Sequence, residues 1–172
     1  MIKIGTRSSE LALWQANTVA RQLKNLGHST KIIKIDSIGD QVLDKPLYEL
    51  GVTGVFTKSL DIALINGDID IAVHSLKDVP TKLPEGVIQA AVLKRGNYND
   101  VLILKKDENF FENEIATIAT GSLRRKAQWL HRYPKHNITG LRGNVNTRLQ
   151  KLKDSPWDGA IFALAGLSRI KL

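Results

Sequence analysis

Three short segments set arginine beside hydroxyl residues and glycine where an apolar run gives way to a helix-like pattern. They are Thr6-Arg7-Ser8-Ser9, Thr120-Gly121-Ser122-Leu123-Arg124-Arg125 and Leu141-Arg142-Gly143-Asn144-Val145-Asn146-Thr147-Arg148. A helix start offers unpaired backbone N–H groups and a positive dipole end. A guanidinium fork and a hydroxyl add further donors, so each segment is equipped to grip a carboxylate or a phosphate. Arg124 and Arg125 make the strongest case, because two cations in the first turn of a helix oppose its dipole and need compensation. Capping by Ser8 or Ser9 with a solvated Arg7 explains the first segment equally well. Salt bridges elsewhere explain Arg142, Arg148 and Arg169 about as well as ligand binding does, the last expected near the start of the final helix. Lys77-Asp78, within His74-Ser75-Leu76-Lys77-Asp78-Val79-Pro80, is chemically the most pointed pair. A carboxylate among so many cations is either their structural partner or a group serving a ligand with N–H donors or developing positive charge.

The elements that must position these residues alternate strand with helix from the amino terminus. Ile2 and Ile4 open a strand, and Ala12, Ala16, Val19, Leu23 and Leu26 line one helix face ending at Gly27. A second strand is expected at residues 31–35, and a long polar loop at 36–54 with Gly39, Pro46, Gly51 and Gly54. A helix at 56–66 leads to a third strand around Ile69, Ile71 and Val73. Strand patterns at 87–93 and 101–104 flank Lys94-Arg95-Gly96-Asn97, the expected linker between lobes 1–94 and 95–172. The second lobe reads as strands at 115–119, 138–141 and 160–164, with helices at 122–133, at 144–153 and from about Gly166. Repeated strand-then-helix order predicts an α/β fold of two lobes, each a mostly parallel sheet flanked by helices. In such sheets ligands collect beyond the carboxyl ends of the strands. All three arginine segments fall at such ends.

Composition narrows the function classes. The 172 residues include no cysteine, which removes disulfides, thiolate metal sites and a cysteine nucleophile from the sequence given. His28, His74, His131 and His136 lack metal-ligand spacing, so no metal is expected. The net charge of +8 would suit nucleic acid, but the lysines are scattered, and 6% aromatic content leaves few stacking platforms for bases. No apolar stretch reaches the roughly 18 residues of a membrane helix, and the amino terminus reads as a strand, so the expected location is the cytoplasm.

With the order of the motifs in hand, the chain resembles the porphobilinogen deaminase, or hydroxymethylbilane synthase, family from Ile4 to Leu172. The resemblance rests on Thr6-Arg7-Ser8-Ser9 with Leu11-Ala12-Leu13-Trp14-Gln15, on Ala72-Val73-His74-Ser75-Leu76-Lys77-Asp78-Val79-Pro80, on the two later arginine segments and on Ala165-Gly166-Leu167. It implies a fold similar to type II periplasmic binding proteins, two α/β lobes around a cleft with a third small domain. It also implies a transferase of haem biosynthesis, which joins four porphobilinogen units with loss of ammonia on a dipyrromethane cofactor. Every pyrrole carries an acetate and a propionate, which would account for the arginines. Asp78 would be catalytic, hydrogen-bonding pyrrole N–H groups and stabilising the cationic azafulvene left by deamination, with Arg7 beside it. Ser9, Lys77, Thr120, Ser122, Arg124 and Arg125 would hold the cofactor's acidic side chains. Arg7, Arg142, Arg148 and Arg169 would hold the substrate and the growing chain, and 36–54 would cover the cleft.

Two departures stand out: Gly121 where the family commonly has a second hydroxyl residue, and Thr53 where it commonly has lysine. The family's cofactor is attached to a cysteine of the third domain, so the expectation is an amino-terminal portion, inactive alone and prone to self-association. The full-length enzyme is expected to be a monomer. The competing expectation from another class is a non-catalytic anion-binding module of the periplasmic-binding type, for which a carboxylate such as Asp78 in a cationic cleft has little use.

Overall fold

The computed structural model describes residues 1–37, 39, 54–105 and 115–172. Most of the 36–54 loop, including Gly51, Val52 and Thr53, lies outside the described residues. The chain divides into two compact units, Met1–Lys94 and Arg95–Leu172.

In the first unit, β1 (Ile2–Thr6), β2 (Thr30–Lys34) and β3 (Ile71–Ala72) form a parallel sheet in the order β2-β1-β3. Parallel neighbours require crossovers, here made by α1 (Glu10–Asn25) and by the path containing α2 (Lys58–Ile65). Alternation along the strands feeds two cores. Ile4, Ile32 and Ile71 pack with Ala16 and Ala20 of α1, while Ile33 and Ala72 pack with Leu60 and Ala63 of α2 and with Ile69. Ile4 and Leu60 are fully buried, each contributing about 1.5–3 kcal/mol of apolar transfer.

The second unit has four strands in the order β4-β7-β5-β6: β4 (Asp100–Leu104), β5 (Thr117–Ala119), β6 (Asn137–Thr139) and β7 (Gly159–Ala163). One face buries Ala119, Ala160 and Phe162 with Leu141, with Leu152 of α4 (Val145–Asp154) and with Leu167 of α5 (Leu164–Arg169). The other face buries Ile118 and Ile161 with Trp129 of α3 (Leu123–Arg132).

Two expectations are corrected. Residues 87–93 are not a strand. Gly86 turns the chain at φ +82, and Ile88 beyond it is 81% exposed, because β-propensity makes a strand only where a neighbouring edge supplies hydrogen-bond partners. The second sheet is mostly parallel, as expected: β5, β6 and β7 are parallel, and β4 runs antiparallel to β7. The last helix begins at Leu164 rather than near Gly166, which puts Arg169 at its final residue. A cation there is favoured by the dipole, whereas one at the start is not.

Candidate functional site

The first cluster is built at the carboxyl end of the β2-β1-β3 sheet. Arg7 follows β1 directly, and its guanidinium lies 4.2 Å from the Phe56 ring centroid, a cation–π contact that helps orient the side chain. Ser9 is the N-cap of α1 and accepts the Ala12 N–H at 3.4 Å. Ser8 Oγ donates to Asp36 Oδ1 at 3.1 Å, so of the two serines Ser9 caps and Ser8 ties the loop to the end of β2. Gln15 Nε2 donates to Ser75 Oγ at 3.0 Å, joining α1 to the segment that leaves β3.

That segment ends in a 3₁₀ turn, Leu76–Asp78, which presents the pair singled out from the sequence. Asp78 is 20% exposed and Lys77 82% exposed, their charges 3.9 Å apart. An ion pair so open on the lysine side is worth at most about 1 kcal/mol, too little to explain the carboxylate as Lys77's structural partner. His74 completes the cluster. Burial pushes its imidazole below the usual value; Asp61 and Asp78 pull it back up, and Arg7 adds to the lowering. One buried-side imidazole thus shares a field with Asp78 and Arg7, at the strand ends where the fold collects ligands.

The second cluster is built on α3. Ser122 caps the helix and accepts from Arg125 N at 3.4 Å, and Thr120 Oγ1 accepts from Ser122 N at 3.2 Å. The unfavourable arginines of the first turn find their compensation inside the unit. Arg124 Nη2 lies 2.8 Å from Asp100 Oδ2, and Arg125 Nη2 lies 2.7 Å from Asp100 Oδ1. Partial burial pushes the Asp100 carboxyl up, but hydrogen bonds from Arg125 and Arg124 outweigh it and hold the group below the usual carboxylate range. Arg125 Nη1 also donates to Ile161 O at 3.1 Å, while its Nε is buried without a partner. Sequence reasoning missed Asp100. The dipole argument demanded an anion, but nothing in local spacing pointed 25 residues upstream.

Arg142 follows the buried Leu141, and Asn144 caps α4 through Thr147 N at 3.0 Å. Arg148 donates from Nε to Gly143 O at 2.7 Å. Arg169 lies against Gly96, where an added Cβ would stand 2.9 Å from its Nη2. The backbone packing at Gly121 is tighter: a Cβ there would meet Leu141 O at 2.5 Å. Gly121→Ser is therefore expected to cost about 1–3 kcal/mol through a clash with main chain, read as a lowered midpoint in chemical denaturation. An unchanged midpoint would show that the 120–122 and 141–143 loops part freely. Among the described residues no group of three or more His, Cys, Asp or Glu side chains could hold a metal, and no helix is long and apolar enough to cross a membrane.

These features define an α/β protein with cations, hydroxyls and helix starts gathered at the carboxyl ends of its parallel strands, suited to anionic ligands. A family model described as porphobilinogen deaminase, dipyromethane cofactor binding domain, matches residues 2–172. The chain belongs to the porphobilinogen deaminase family. It is 51% identical over 170 residues to the probable porphobilinogen deaminase of Methanocaldococcus jannaschii, covering 99% of this chain and 58% of that protein. It is 45% identical over 174 residues to the porphobilinogen deaminase of Syntrophotalea carbinolica, covering 99% and 55%. It thus spans little more than half the length of these relatives. Among solved structures, the periplasmic VFT2 domain of Bordetella pertussis BvgS overlaps at a TM-score of 0.48 with 11% identity, covering 95% of this chain and 66% of that one. The fold assignment rests on the strand orders above, not on that overlap.

Proposed function

We propose that this chain carries the catalytic and anion-holding residues of a cytoplasmic porphobilinogen deaminase. The enzyme joins four porphobilinogen units with loss of ammonia into the linear tetrapyrrole hydroxymethylbilane. The observation that carries the reading, beside the family membership, is Asp78: a mostly buried carboxylate whose ion pair does not account for it, in the field of Arg7 and His74. A receptor built only to hold anions gains nothing from such a charge, which disfavours a non-catalytic module.

Arg7 is suited to hold a substrate carboxylate in a fixed orientation, its planar fork matching the two oxygens. Asp78 is suited to accept pyrrole N–H donors and to stabilise positive charge as the amine departs, most effectively where water is scarce. Arg142, Arg148 and Arg169 are assigned to the acidic side chains of the substrate and the lengthening product. The donor set assigned to the dipyrromethane is chemically suited to its carboxylates. Ser9, Lys77, Thr120, Ser122, Arg124 and Arg125 are all donors, and the buried Arg125 Nε has hydrogen-bonding capacity in reserve. When bound, that group supplies the pyrrole end to which units are added.

The test is to supply porphobilinogen to the full gene product and measure ammonia released against porphobilinogen consumed. The expected ratio is one to one, with a linear tetrapyrrole as product. Consumption without ammonia, or none at all, would reject the assignment.

A further inference from the structure

Arg124 and Arg125 look equivalent in the sequence, and the structure makes them unequal. Arg125 is 13% exposed and Arg124 59%. Arg125 spends one donor on Ile161 O in β7 and one on Asp100; Arg124 spends one on Asp100 and one on Gln128 Oε1 at 2.9 Å. The result is one chain of contacts, Ile161 O, Arg125, Asp100, Arg124, Gln128, with the buried arginine at the sheet and the open one at the solvent side.

Asp100 reaches this place through the one antiparallel strand of its sheet. β4 starts at Asp100, paired in register with Ala163, the last residue of β7, and Leu164 N donates to Asn99 O. A parallel strand would have set its first residue at the opposite, amino end of the sheet. The reversal brings a carboxylate to the carboxyl end, beside the helix start that carries the two cations.

We infer that Asp100 is a positioning residue: seated by Arg125, it clamps the Arg124 guanidinium so that the remaining Arg124 donors meet a ligand carboxylate in one orientation. This rests on the reading of the α3 cluster as a site for pyrrole carboxylates. Two arginines and one aspartate leave the cluster with one net positive charge, which gives two opposed expectations for Asp100→Asn. If Asp100 only subtracts charge, removing it raises the cluster to two net positive charges and anion binding tightens. If Asp100 positions Arg124, binding weakens although the site has become more positive.

The experiment measures binding of a free dipyrromethane carrying two acetate and two propionate groups to the 172-residue chain by titration calorimetry, alongside guanidinium rotation of Arg124 by ¹⁵N NMR in the free protein. The expected result for Asp100→Asn is binding weakened about tenfold with faster Arg124 rotation, and for Asp100→Glu restoration of most of the affinity. Binding unchanged or tightened in a folded Asp100→Asn protein overturns the positioning role and leaves the anion site standing. If Asp100→Asn fails to fold, Asp100→Glu decides. A folded Glu variant that keeps most of the affinity and slow rotation supports the clamp; one with slow rotation but affinity lowered about tenfold overturns it, as does fast rotation at wild-type affinity. Absence of dipyrromethane binding by the wild-type protein overturns both the clamp and the reading of the α3 cluster it rests on.

Discussion

Replacing Asp78 by Asn in the full gene product is expected to lower kcat for porphobilinogen about a hundred- to a thousandfold, the usual loss when a group aimed at developing charge is removed. Asn keeps the shape and one acceptor oxygen, so it isolates the charge. KM should change little, because the carboxylates of the substrate are assigned to arginines rather than to Asp78. Stability should change little as well, since among the described residues Asp78 is ion-paired with the 82% exposed Lys77 and such pairs are worth about 0–1 kcal/mol. The combination separates the two explanations of this carboxylate. A structural anion would lower the unfolding midpoint and leave turnover per folded molecule intact. Steady-state kinetics with a denaturation curve on the same preparation reads both, and a full kcat in the Asn variant would remove Asp78 from the chemistry.

Leu141→Ala carries the second large expected effect. Leu141 is 1% exposed and packs in the core with Ala119, Leu152, Ala160, Phe162 and Leu167. Truncating a leucine in such a place costs about 2–5 kcal/mol, the transfer of the lost atoms plus the cavity they leave. Against a typical total of about 5–15 kcal/mol, that is a large share of the fold's stability. The position also links core to site: its carbonyl abuts Gly121, and its chain neighbour is Arg142. Loosening it should therefore weaken binding of an anionic pyrrole as well as lower the denaturant midpoint. A loss below about 1 kcal/mol would mean that the loop collapses into the space, contrary to close packing.

The parts of the site that were legible in the sequence are those whose contacts close within one helical turn. Ser9, Ser122 and Asn144 were readable as helix starts, because an N-cap bonds a backbone N–H three residues on, and each does so. The strand-then-helix order was readable because alternation and helical periodicity are local, and it sufficed for the α/β class. Residues 87–93 show the boundary of that method. Their apolar content satisfies the strand pattern, but a strand also needs a partner edge, and among the described residues none pairs with them. Arg169 shows another: the local pattern points to a helix start near Gly166, whereas the helix begins at Leu164 and Arg169 is its last residue.

The sequence by itself determined the class of fold, the helix caps, the need for an anion beside Arg124 and Arg125, and, through its motif order, the resemblance to the family. Tertiary structure alone decided that the anion is Asp100, that Arg125 is the buried arm and Arg124 the open one, and that Gly121 is needed beneath Leu141. The physical reason is range. Capping and periodicity act over three or four residues, whereas the Asp100 contacts span 24 and 25 residues and depend on the direction of β4, which no local pattern encodes.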